Sequence, residues 1–88
     1  MKRFEIEFED ESPQAAISYE LTGEETLRLE STDDGTFLYA NQQGFHVLAQ
    51  LCAKLSLGNY TPGFHVHLKE DFGDEPAADI VTITVHDS

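Results

Sequence analysis

Asn41-Gln42-Gln43-Gly44-Phe45-His46-Val47-Leu48-Ala49-Gln50-Leu51-Cys52-Ala53-Lys54-Leu55-Ser56-Leu57-Gly58 decides the fold. Phe45, Leu48, Ala49, Cys52 and Leu55 recur at helical spacing with Leu51 flanking, while His46, Gln50 and Lys54 form a polar stripe four residues apart. Asn41 is suited to cap the first turn, because its side-chain oxygen can accept an otherwise unpaired backbone N–H. Gly58 suits a left-handed helix end. The pattern predicts one helix from Gln42 to about Leu57 that buries Phe45, Leu48, Cys52 and Leu55. Gly44 costs roughly 1 kcal/mol against Ala in a helix, a cost that close approach to a sheet would explain. Cys52 on the apolar stripe reads as a buried, inert thiol.

Outward from the helix the period changes to two. Leu27 and Leu29 alternate with Arg28 and Glu30, and Asp33-Asp34-Gly35 before Thr36–Ala40 is a hairpin signal. Beyond the helix, Tyr60-Thr61-Pro62-Gly63 suits a type II turn. Phe64, Val66 and Leu68 then alternate with His65, His67 and Lys69, and Asp79–His86 carries Val81, Ile83 and Val85 on one face. Near the start, Phe4, Ile6 and Phe8 alternate with glutamates, and Ala16–Leu21 places Ile17, Tyr19 and Leu21 together. The expected fold is α+β: a single α-helix packed on one face of a mainly antiparallel sheet of five to six strands, in one domain over residues 1–88.

Composition restricts function. Seventeen acidic residues against five basic ones give a net charge of −12 in 88 residues. That field repels nucleic acid and anionic membranes and favours cations or basic proteins. No apolar run reaches the ~18 residues of a membrane span. The first residues lack a signal-peptide stretch, so a cytoplasmic location is expected. One cysteine excludes an intrachain disulfide. No nucleophile–base spacing or phosphate-cradling glycine loop stands out, so no enzyme and no cofactor are expected.

Two constellations remain. The loop Glu70-Asp71-Phe72-Gly73-Asp74-Glu75 sets an aromatic among carboxylates. Glu70, Asp71, Phe72, Asp74 and Glu75 are therefore candidate contacts for a basic protein, with Phe72 either an interface anchor or a plug at the core edge. His65 and His67, two apart on a strand, point to one side and have the spacing of a pair of metal ligands. His86 or an acid from Glu70, Asp71, Asp74 or Glu75 would complete such a set. The alternative places both histidines on a wet face beside Thr82 and Thr84.

The segment Tyr39-Ala40-Asn41-Gln42-Gln43-Gly44-Phe45, the Leu-rich helix, and Gly63-Phe64-His65-Val66-His67-Leu68 followed by Phe72-Gly73 loosely resemble the immunity protein thirty-two family of bacterial polymorphic-toxin systems. The resemblance spans Tyr39 to Gly73. It implies an α+β fold and a non-enzymatic role in binding and neutralising a partner, and it carries no catalytic residues. Three functions follow as expectations: a small acidic binding protein of this kind, a metal-binding module built on His65 and His67, or a housekeeping subunit.

Overall fold

The computed structural model of the protein describes residues 1–7, 19–73 and 78–86. Its elements are β1 (Leu27–Thr32), β2 (Gly35–Ala40), α1 (Gln42–Leu57), β3 (His65–Lys69) and β4 (Asp79–Thr84), with a single 3-10 turn at Glu70–Phe72. The fold is α+β, with one helix and four antiparallel strands among the described residues. The strands form two separate two-stranded sheets, β1–β2 and β3–β4, rather than one sheet of five or six.

Of the two strands expected near the start, residues 4–7 and 19–21 are irregular, and the rest lies outside the described residues. At its first residue β1 is met by the 3-10 turn, where the Leu27 N–H donates to Asp71 Oδ1 at 2.8 Å. Phe4 is half-exposed and meets His46 edge-on, with ring centroids 5.4 Å apart.

The first hairpin and the turn that leads into β3 follow their turn chemistry. In the first, Thr32 pairs with Gly35, which takes φ +131°, and Leu29 faces Leu38. Before the second, Gly63 sits at φ +94° after Pro62, and the Phe64 N–H reaches the Thr61 carbonyl at 3.1 Å, the bond of a type II turn. Val66 pairs with Ile83 and Leu68 with Val81, which puts His65 opposite Thr84 and His67 opposite Thr82, as expected.

The helix has the expected bounds but a different inward face. Asn41 Oδ1 accepts the Gly44 N–H at 2.8 Å and the Thr26 N–H at 3.0 Å. The Asn41 N–H donates to Thr26 Oγ1, and the side-chain amide donates to the Glu24 carbonyl at 2.8 Å. One residue thus caps α1 and ties it to the segment that enters β1. A Cβ on Gly44 would collide with the Thr26 carbonyl oxygen, so the helix can come this close only with glycine here. That approach turns the Gly44 side inward. Val47 (2% exposed) and Leu51 (0%) are buried, Leu48 and Leu55 pack beside them, and Phe45 stands 51% exposed. The inward face therefore centres on Val47 and Leu51, keeps Leu48 and Leu55 of the expected stripe at its edge, and leaves Phe45 out. Cys52 is exposed rather than buried. Gly58 ends the helix in an extended conformation rather than a left-handed one, and its Cβ would be blocked by the Tyr60 ring.

The core draws on every layer: Leu27 from β1, Val47 and Leu51 from α1, Leu68 from β3 and Phe72 from the 3-10 turn. Tyr19, Ala40, Val66, Val81 and Ile83 pack around it. Just before β1, Glu25 is buried at 7% exposure. Its carboxylate accepts the Thr22 N–H at 2.8 Å, the Thr22 hydroxyl at 3.0 Å and the Gly23 N–H at 3.0 Å. The Thr22 amide is the largest influence, and with the other donors it overcomes the opposing desolvation and holds the Glu25 pKa down to about 2.

Leu51→Ala should cost about 2–5 kcal/mol, the range for a core truncation. Phe45→Ala should leave the denaturation midpoint nearly unchanged; a large loss there with none at Leu51 would restore the expected stripe. For Glu25 the folded pKa lies below its ordinary value, so its contribution is complete above about pH 4.5 and is lost as pH falls towards about 2. The stability difference between the wild type and Glu25→Gln, read from denaturation midpoints, should therefore hold steady above pH 5 and shrink within that window. Parallel pH curves for the two proteins would refute the role of this carboxylate.

Candidate binding surface

Of the four carboxylates and the ring expected in one exposed loop, Glu70 and Asp71 are described with the ring, and the ring turns away from them. Glu70 is exposed. Asp71 and Phe72 both take left-handed backbone conformations, φ 55° and 58°. Aspartate tolerates that region, whereas for Phe72 it is strained. The strained turn sends Phe72 into the core at 4% exposure, edge-on to Tyr19 with centroids 6.1 Å apart, and turns the Asp71 carboxylate onto the Leu27 amide. Phe72 is the core plug and is unavailable as an interface anchor. Asp74 and Glu75 lie outside the described residues.

Exposed aromatic surface occurs instead on β2. Directly opposed residues of an antiparallel pair share a face, so Arg28, Glu30, Phe37 and Tyr39 stand together on one side of β1–β2, and Leu27, Leu29, Leu38 and Ala40 on the other. The second side runs into the core through Leu27. The first faces outward, with Phe37 42% and Tyr39 46% exposed and their rings 6.5 Å apart. Arg28 lies over the Tyr39 ring at 4.6 Å and pairs with Glu30 at 3.7 Å. A shallow depression lined by Thr26, Leu27, Arg28, Tyr39, Glu70 and Asp71 continues this face into the 3-10 turn. The expected carboxylates thus border an aromatic, but it is Tyr39 rather than Phe72. The signal was present in Thr36-Phe37-Leu38-Tyr39, a strand apolar on both sides, which a two-stranded sheet with one inward face cannot bury.

The outward side of β3–β4 carries His65, His67 and Lys69 with Thr82, Thr84 and Asp79. A bulge at Ile80 shifts the register so that Asp79, not Ile80, lies opposite Lys69. One Asp79 oxygen accepts from Lys69 Nζ at 2.8 Å and the other lies 2.8 Å from His67 Nδ1. The Lys69 hydrogen bond, against desolvation and aided by the Lys69 and His67 charges, holds the Asp79 carboxyl below its usual range. The His65 and His67 rings stand perpendicular at 87°, with centroids 4.7 Å apart. Among the described residues no three His, Cys, Asp or Glu side chains gather as a metal cluster, and no helix is long and apolar enough to cross a membrane.

Removing the acceptor at Asp71 should cost about 1–3 kcal/mol, because Asp71→Ala leaves the Leu27 N–H without its side-chain partner. Asp71→Asn keeps both an acceptor oxygen and tolerance of the left-handed backbone, and should retain most of the stability in urea denaturation. Equal losses in the two variants would mean that the carboxylate's charge, not its acceptor, holds the turn.

No family model matches the chain, and neither a curated protein nor a solved structure shows significant similarity to it.

Proposed function

We propose that this chain is a small acidic binding protein, without a reaction of its own, that recognises a basic protein partner. The observation that carries the reading is the outward face of β1–β2, where two half-exposed rings, Phe37 and Tyr39, are bordered by Glu30, Glu70 and Asp71. Half-exposed aromatic rings gain most from desolvation by a partner, and a carboxylate rim selects the sign of that partner's charge. The net charge of −12 supplies the long-range attraction. Arg3, Arg28 and Lys69 sit against carboxylates, and with seventeen acidic residues against five basic ones the field stays acidic. An immunity-type protein acting in the cytoplasm on a cationic toxin surface is the specific form of this reading, and it agrees with the resemblance around Tyr39–Gly73.

Partners captured from the native host should be basic, and their binding should depend on this face. Glu30→Gln, Asp33→Asn, Asp34→Asn and Glu70→Gln together should slow association and flatten its salt dependence while leaving dissociation nearly unchanged in surface plasmon resonance. Phe37→Ala and Tyr39→Ala should speed dissociation, each costing more than about 1 kcal/mol of affinity. Capture of only acidic or nucleic-acid material, or variants that bind like the wild type, would overturn the proposal.

A further inference from the structure

The outward face of β3–β4 holds two imidazoles, each with an acceptor at Nδ1. His65 Nδ1 lies 3.0 Å from the Gly63 carbonyl oxygen, which can only accept. His67 Nδ1 lies 2.8 Å from an Asp79 oxygen, and Thr82 Oγ1 approaches it at 3.3 Å. An ionised carboxylate also only accepts, so the Nδ1 of each ring faces an acceptor and Nε2 is the nitrogen of each ring turned to a further ligand. This is the arrangement in which a carboxylate or a backbone carbonyl orients a metal-bound histidine.

From this geometry we infer that His65 and His67 form a two-imidazole site for a divalent transition-metal ion of the zinc, nickel or copper class, with water completing the coordination. Alternate residues on a strand begin about 6.6–6.8 Å apart, and these rings have leaned together to a centroid distance of 4.7 Å. Two nitrogens on one tetrahedral zinc stand about 3.3 Å apart at Zn–N distances near 2.0–2.1 Å, so the two imidazoles that share it must lie side by side, as these do. Imidazole nitrogen selects this class of ion over magnesium or calcium. Asp79 is a positioning residue: its oxygens are taken by His67 and Lys69, and it holds the His67 ring rather than the ion. The surrounding −12 field raises the local concentration of any cation. The site is independent of the partner surface on the other sheet.

The test is titration of the full chain with zinc chloride alone, followed by calorimetry and by nitrogen NMR of the imidazoles. One zinc ion per chain is expected, with the Nε2 resonances of His65 and His67 shifting and those of His46 and His86 unmoved. His65→Ala and His67→Ala should each weaken binding about tenfold or more, and the double variant should abolish it. Asp79→Asn should weaken it by about 10–100-fold, as for other orienting groups, at unchanged stoichiometry. All of these positions are exposed, and an amide correlation spectrum confirms that each variant is folded. Absence of binding, zinc affinity unchanged in the double variant, shifts at His46 or His86 instead, or one ion per two chains would each overturn the inference.

Discussion

The hold of the second hairpin on Leu27 is the contact on which the rest depends. A two-stranded hairpin is at best marginally stable in water, and this fold contains two of them. Each survives only by sharing a core with the other and with the helix. Leu27 is where that sharing is enforced, its side chain fully buried and its N–H held by Asp71 of the 3-10 turn. The strained backbone of Asp71 and Phe72 follows from the same demand, since one short turn must deliver a carboxylate to an amide and a ring to the core.

Asn41 does for the helix what Asp71 does for the second hairpin. Its four hydrogen bonds join the start of α1 to the segment entering β1, and the absence of a side chain at Gly44 lets the two meet. With the inward faces committed in this way, each sheet keeps one outward face with its own chemistry. On β1–β2 that face is aromatic with an acidic border, and on β3–β4 it is a pair of oriented imidazoles.

What was legible in the sequence was whatever depends on neighbours along the chain. The cap at Asn41, the bounds of α1, the turn of the first hairpin, the turn before β3 and the placing of the histidines beside Thr82 and Thr84 all follow from local chemistry and a period of two or 3.6. Facts set by distant contacts were not legible. Which side of α1 turns inward depends on the Thr26 carbonyl meeting Gly44, and apolar spacing alone favoured Phe45 and Cys52 over Val47. Of the candidate contacts, Glu70 stands at the surface, whereas Phe72 was withdrawn by a backbone conformation rare for its residue type. Tyr39 took its place because a sheet of two strands has too little inward surface for every ring it carries.

The outer edge of β2 pairs with no described strand, and it lies directly beside the Phe37 and Tyr39 rings. An unpaired edge flanked by aromatic surface is also a template for another copy of the same chain. At −12 charges each, copies of the chain repel one another. That repulsion reaches about 8 Å in physiological salt but only about 3 Å at 1 M. The ionic medium thereby sets how closely two such edges can approach: dilute neutral buffer holds them apart, and concentrated salt or acid lowers that barrier. The face proposed to receive a partner is also the one where the approach of another copy depends most on the medium.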